Sequence, residues 1–161
     1  MSFQLSKERE AKIPGILERF PVDKKRAAVL PLLWLVQEQE GWVSKDAMNY
    51  VAEKVGIAAT AVYEVVSFYT MFNREKIGKH HIQICNNVCC RLRDADWLVG
   101  YVKEKLGVEV GQMTPDGKFQ LSTVECLASC GTAPMMQIND DYYENLDAKK
   151  VDEILAKLSK N

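Results

Sequence analysis

The chemistry of this 161-residue chain is concentrated in five cysteines, which fall in two groups about 36 residues apart, Cys85-Asn-Asn-Val-Cys89-Cys90 and Cys126-Leu-Ala-Ser-Cys130. Thiolate is a soft, anionic ligand, and four thiolates converging from two loops make a site for an iron–sulfur cluster, zinc or copper(I). Successive side chains tend to diverge, so Cys89 and Cys90 are not expected to ligate one ion together. The first pair is either Cys85 with Cys89, three residues between, or Cys85 with Cys90, four between, and one of the adjacent cysteines is a bystander.

Spacing separates the candidate chemistries. Structural zinc favours two residues between paired cysteines, and both gaps here are wider. A thioredoxin-type dithiol needs Cys-x-x-Cys at a helix start, and the chain has none. The Cys-x4-Cys-x2-Cys grouping of plant-type ferredoxins is also missing. A two-plus-two arrangement with wide loops stays compatible with the larger 2Fe-2S core. Cysteines that merely fill a core would not cluster after strands.

Four thiolates and two sulfides around two ferric ions carry a net charge of about −2, so nearby dipoles must offset it before the site takes an electron. The backbone N–H groups of Asn86, Asn87, Val88, Ser129 and Gly131 are the candidates. The Ser129 hydroxyl is a candidate donor to a cluster sulfur, against the plainer role of a solvated loop serine. Asn86 and Asn87 read as turn formers. His80 and His81 are neighbours on an expected strand and point to opposite faces, which argues for structural roles rather than joint ligation.

The elements that must position these residues change character along the chain. Up to about residue 72 the periodicity is helical: Lys7 to Phe20, closed by Pro21; a run from Asp23 to Gly41 carrying Ala27, Leu30, Trp34 and Leu35, with Pro31 expected to bend it; a helix capped by Ser44 and stopped by Gly56; and Ala59 to about Met71. Trp34, Trp42, Phe68, Tyr69 and Phe72 are expected in the core or in domain packing, with an interface role as the second reading. Asn73 to Lys79 reads as a linker. The alternating, β-branched His80 to Cys85 then opens a second texture: strand, cysteine loop, helix from Asp94 to Leu106, strand from Lys118 to Val124, second cysteine loop, strand from Met135 to Ile138, turn, a short Tyr142-Tyr143 strand and a helix from Ala148 to Leu158. Both cysteine groups follow strands, so both loops are expected at one end of one sheet. The class is α+β, a small helical bundle over residues 1–75 followed by a small α/β domain over 76–161.

Composition narrows the partners. Lys and Arg number 21 against 22 Asp and Glu, and residues 1–75 carry ten of each, so no basic patch recommends nucleic acid. The longest apolar run, Ala27 to Val36, contains Pro31 and falls well short of the roughly 20 residues that span a bilayer. The N-terminal Met-Ser-Phe-Gln-Leu-Ser-Lys-Glu-Arg-Glu does not read as a secretory signal, so a reducing cytoplasm is expected, where paired cysteines serve metals or redox more often than disulfides.

Two segments of the helical half, Leu30-Pro-Leu-Leu-Trp-Leu-Val-Gln-Glu-Gln-Glu-Gly-Trp-Val-Ser44 and Val62-Tyr-Glu-Val-Val-Ser-Phe-Tyr-Thr-Met-Phe72, stand with Cys85-x4-Cys90 and Cys126-Leu-Ala-Ser-Cys130-Gly-Thr-Ala-Pro-Met-Met-Gln-Ile-Asn139. Over almost its whole length the chain resembles the small iron–sulfur subunit family of NADH:quinone oxidoreductase, respiratory complex I. The resemblance implies a helical domain followed by a thioredoxin-like ferredoxin domain with one 2Fe-2S cluster, whose ligands fall on Cys85, Cys90, Cys126 and Cys130. It thereby selects Cys90 over Cys89. Cys89 stands where the family more usually has Pro or a small polar residue, and Ala128 where Gly is common. Thioredoxin-like folds also share a cis-proline, which falls on Pro134.

The family further implies a partner flavoprotein subunit carrying FMN, the NADH site and a 4Fe-4S cluster, other peripheral-arm subunits, and a cytoplasmic place at the inner face of the membrane held through the complex. This chain has no Gly-rich dinucleotide motif, so NADH and FMN are expected to bind elsewhere and the chain to carry electrons toward or from the flavin, off the main route to quinone. Alternatives are a diaphorase subunit of an NAD-linked hydrogenase or formate dehydrogenase, a free-standing thioredoxin-like ferredoxin, and a zinc-stabilised assembly module.

Overall fold

The computed structural model describes residues 3–160. Met1 and Ser2 of the N-terminal segment lie outside them. Contacts divide the chain between Lys76 and Ile77 into two compact units.

The first unit is helical. The stretch expected as one helix from Lys7 to Phe20 is two short ones, α1 (Lys7–Glu10) and α2 (Ile13–Leu17). Pro14 has no N–H with which to continue α1, but it sits in the first turn of α2, where none is needed. Proline has the same effect in the next element. The single bent helix expected from Asp23 is a 3-10 helix, Val22–Ala28, leading into α3 (Val29–Glu40), and Pro31 occupies the first turn of α3. It marks a beginning rather than a kink.

Gly41 ends α3 in the left-handed conformation, at φ +77°. The Ser44 hydroxyl accepts from the Ala47 N–H at 3.1 Å and so caps α4 (Lys45–Val55), which Gly56 terminates. α5 (Ala59–Phe68) stops short of Met71, because Tyr69 is already extended. Val29, Leu33 and Val36 of α3, Ala47 and Val51 of α4, and Val62 and Val66 of α5 are all buried together. Each such Val or Leu contributes roughly 1.5–3 kcal/mol of hydrophobic stabilisation.

The aromatic residues divide differently from the expectation of a shared core. Phe72 is buried, and Trp34, packed on it at 5.6 Å, is partly exposed. Phe68 is 77% exposed and Tyr69 lies beside it, their rings 5.1 Å apart. The reason is angular: α5 buries Val62 and Val66, and a residue two positions beyond Val66 points to about the opposite side of the helix.

The second unit is a four-stranded sheet in the order β2-β1-β3-β4, with β1 (His80–Cys85), β2 (Phe119–Val124), β3 (Met136–Ile138) and β4 (Asp141–Tyr143). β1 and β2 are parallel, joined through the one-turn helix α6 (Val88–Arg91) and then α7 (Ala95–Leu106), while β1–β3 and β3–β4 are antiparallel. Alternation decides the faces. Ile82 lies between Leu121 and Ile138 in register, and Ile84 opposite Met136, all fully buried or nearly so. These pack against Leu98 and Val102 of α7 and Val151 and Leu155 of α8 (Ala148–Ser159), the latter helix capped by the Asp147 carboxylate. His81, Gln83, Gln120, Ser122 and Gln137 occupy the opposite, polar face. Among the described residues no helix is long and apolar enough to cross a membrane.

Candidate metal centre

β1 and β2 stay in register to their ends, Cys85 opposite Val124, so the two segments that follow them leave the same end of the sheet. The Asn86 N–H donates to Val124 O at 3.0 Å and extends the ladder one residue past Cys85. The Asn87 carboxamide oxygen then accepts from the Val88 N–H at 2.8 Å and caps α6. This segment is expected from the sequence to be loop; an asparagine in N-cap position before Val-Cys-Cys-Arg is the signal that marks the helix. Successive residues on a helix point about 100° apart, which separates the two adjacent cysteines. Cys90 is 1% exposed and Cys89 is exposed to solvent.

The second cysteine segment turns through Ala128 at φ +55°. The Ala128 N–H donates to Cys126 Sγ at 3.3 Å, a donor that spacing alone does not single out. Cys130–Thr132 forms a short 3-10 turn, and the Ala133–Pro134 peptide bond that follows is cis, as the thioredoxin-like resemblance implies. Arg93 Nη1 donates to Cys130 O at 3.3 Å and to Gly131 O at 2.7 Å, and the Tyr142 hydroxyl donates to Leu127 O at 2.8 Å. Asn87 Nδ2 donates to Glu125 O at 2.8 Å and joins the two segments directly.

Two of the N–H groups expected to face sulfur are engaged elsewhere, Asn86 with Val124 O and Val88 with Asn87 Oδ1. The Ser129 hydroxyl, a candidate donor to sulfur, donates instead to the Glu144 carboxylate. His80 packs its ring on Phe119 at 5.4 Å, and His81 Nε2 lies 2.7 Å from Ser122 Oγ, so the two histidines part to opposite faces as expected.

Cys85 and Cys90 are buried with Ala95, Leu127, Ala133 and Met135, whereas Cys126 and Cys130 are exposed. Burial, followed by the hydrogen-bonded Cys85 thiol, pushes Cys90 up to about 12. Cys130 is also raised, first by Cys89, whose thiol hydrogen-bonds it, then by burial and by Cys126 and Cys85. All five thiols therefore share one neighbourhood and oppose one another's ionisation. A cationic metal core removes that opposition, because it binds the thiolate forms and supplies the missing positive charge. The soft, all-thiol donor set fits an iron–sulfur core. Among the described residues no three His, Cys, Asp or Glu side chains converge closely enough to hold a single ion, and a two-iron core asks for two thiolates at each iron.

A family model described as thioredoxin-like [2Fe-2S] ferredoxin matches residues 13–159. An NADH-quinone oxidoreductase subunit of Rickettsia bellii (strain RML369-C) is 43% identical over 158 residues, covering 98% of this chain and 95% of that one. The mitochondrial NADH dehydrogenase [ubiquinone] flavoprotein 2 of Dictyostelium discoideum is 44% identical over 160 residues, and this chain spans 65% of its length. Among solved structures, a chain of an NAD+-reducing [NiFe]-hydrogenase in the air-oxidized state superposes with TM-score 0.70 at 19% identity, covering 96% of this chain and 24% of that one, a likeness of fold. A fold with the cysteine loops at one sheet end, a family match across both units and a bacterial relative of matching length agree: the chain belongs to the thioredoxin-like [2Fe-2S] ferredoxin family, among the subunits of NADH-quinone oxidoreductases.

Proposed function

We propose that Cys85, Cys90, Cys126 and Cys130 hold the 2Fe-2S cluster, the first two on one iron and the last two on the other, and that the chain exchanges electrons through it with the FMN of an NADH-binding flavoprotein subunit. The observation that carries this reading is the parallel register of β1 and β2, which delivers both cysteine segments to one end of the sheet. When bound, the cluster supplies one-electron chemistry, and the residues around it set the terms. Cys85 and Cys90, packed among Ala95, Leu127, Ala133 and Met135, keep water from one side of the site. The exposed Cys126 and Cys130 leave the other side open to an approaching partner. The Ala128 N–H dipole at Cys126 Sγ offsets part of the negative charge and favours reduction.

The two units divide the labour in this reading, the helical unit docking and the thioredoxin-like unit carrying the electron. Support for docking is the groove of about 450 Å³ lined by Val29, Leu30, Val65 and Tyr69 with the charged Asp23, Lys24 and Arg26 at its side. FMN, NADH and a 4Fe-4S cluster belong to the partner, and attachment to the membrane is through the complex.

Reconstitution with iron and sulfide tests the ligand set. The parent and Cys89→Ser are expected to show the visible absorption and reduced-state EPR of a 2Fe-2S cluster, and Cys90→Ser and Cys126→Ala to lose them. Retention of the spectrum by Cys126→Ala would sink the assignment. Copurification with the flavoprotein subunit, followed by NADH-driven reduction of the cluster, tests the electron partner.

A further inference from the structure

Beyond the thiols, the second cysteine segment carries a three-membered hydrogen-bonded group. Glu144, immediately after β4, accepts on Oε1 from Ser129 Oγ and from Thr132 Oγ1, the latter at 2.5 Å, and the two hydroxyl oxygens lie 2.6 Å apart. The Thr132 N–H donates to Ser129 O at 3.2 Å, and the Asn145 N–H donates to Thr132 O at 2.7 Å. Glu144 and Asn145 therefore hold the Ser129–Thr132 turn by its side chains and by its backbone. Cys130 lies inside that turn. These bonds also keep the Glu144 carboxyl below its ordinary range, the Ser129 bond first and the Thr132 bond second, so the group is an anion at neutral pH. A hydroxyl has one hydrogen to donate. With Ser129's directed to a carboxylate, none is left for a sulfur.

We propose that Glu144 is the positioning residue of the second cysteine segment: it fixes Ser129 and Thr132 so that Cys130 is presented in one geometry, and it withholds the Ser129 hydroxyl from the cluster. This rests on the reading of Cys130 as a ligand. Arg93 and Tyr142 brace the segment through its carbonyls, whereas Glu144 is the group that engages its hydroxyls.

Two measurements on the full chain decide it. In the reduced, metal-free protein, amide hydrogen exchange over Ala128–Thr132 is expected to quicken about tenfold in Glu144→Ala and in the Ser129→Ala/Thr132→Val double variant, with Glu144→Gln, which keeps an acceptor oxygen, close to the parent. In the reconstituted protein, Glu144→Ala is expected to raise the midpoint potential, since a nearby negative charge is lost and the Ser129 O–H is released, and to lose the cluster to a chelator several-fold faster. Unchanged exchange in Glu144→Ala overturns the proposal. Faster exchange with unaltered potential and chelator resistance also overturns it, leaving Glu144 a contact of the fold alone. A parent chain that never acquires a 2Fe-2S spectrum counts against the ligand reading instead, and the exchange measurement still decides whether Glu144 holds the turn.

Discussion

Asn87 Nδ2 donates to Glu125 O at 2.8 Å, so one side chain of the first cysteine segment binds the residue that precedes Cys126 in the second. The same carboxamide caps α6 through its oxygen. Asn87→Ala loses both bonds and is expected to lower stability by about 1–2 kcal/mol. Asn87→Asp keeps the acceptor for the Val88 N–H, lacks the donor for Glu125 O, and should fall between the two. Urea unfolding of the three metal-free proteins measures the order, and an Asp variant as weak as the Ala variant would show that the cap contributes nothing.

Ala128 adopts φ +55°, a conformation that disfavours a Cβ by roughly 1–2 kcal/mol. Ala128→Gly removes that strain, partly offset by the greater freedom of glycine in the unfolded chain, and should stabilise by about 0.5 kcal/mol. Ala128→Val, β-branched in the left-handed region, is expected to destabilise by more than about 1 kcal/mol, on the order of the αL penalty itself. Melting temperatures of the three proteins check the opposite signs. The resemblance to a family in which glycine is common here acquires its physical reason from this angle.

Two glycines make opposite predictions for the same substitution. A Cβ on Gly78 would lie 2.8 Å from Phe119 C and 2.9 Å from Gln120 N, both backbone atoms that cannot move without displacing β2. Gly78→Ala should therefore destabilise by about 2 kcal/mol or more, as overpacking does. Gly100, inside α7, has nothing within 4 Å of such a Cβ, and Gly100→Ala should stabilise by about 0.5–1 kcal/mol through helix propensity. Denaturant unfolding of both variants tests the pair; a tolerated Gly78→Ala would mean that the β2 backbone yields.

Burial lowers both His80 and His81 from the ordinary 6.5, and the His80 Nε2 is buried without a hydrogen-bond partner among the described residues. As pH falls through about 6.5 the unfolded chain takes up protons on these rings while the folded chain keeps them neutral. Stability is therefore full above about 6.5 and declines as pH drops from there toward the depressed folded values. Thermal unfolding of the metal-free protein at about pH 7.5 and about pH 5.5 should show the lower temperature on the acid side, with a smaller difference in His80→Leu. Equal slopes in the two proteins would remove His80 from the account.

How much of this was legible in the sequence follows the range of the interactions involved. Ser44 and Gly56 bound α4 as expected, and the β-branched run ending at Cys85 is a strand, because caps and alternation act within a few residues. The thioredoxin-like class and the meeting of the two cysteine segments were readable from strands placed just before them. Pro31 was visible, but its position in the first turn of α3 depended on a 3-10 helix that periodicity does not announce. The Glu144 bonds to Ser129 and Thr132 and the Asn87 bond to Glu125 were not readable, since they join residues 12 to 38 apart through side-chain directions that only the folded sheet defines. Phe68 and Tyr69 were misplaced for a related reason: an aromatic side chain looks like core until the helix face it shares is known.

β1 and β2 lie side by side, yet between them the chain travels out through α7 and back. Held as proposed, the cluster bonds both ends of that excursion and closes a covalent ring between Cys90 and Cys126. Cross-linking a loop of this length restricts the unfolded chain by about 4 kcal/mol if it acts as a disulfide would. The electron carrier is in that sense also a clasp on the sheet, and the same iron that gives the protein its redox chemistry keeps the ends of its two parallel strands from parting.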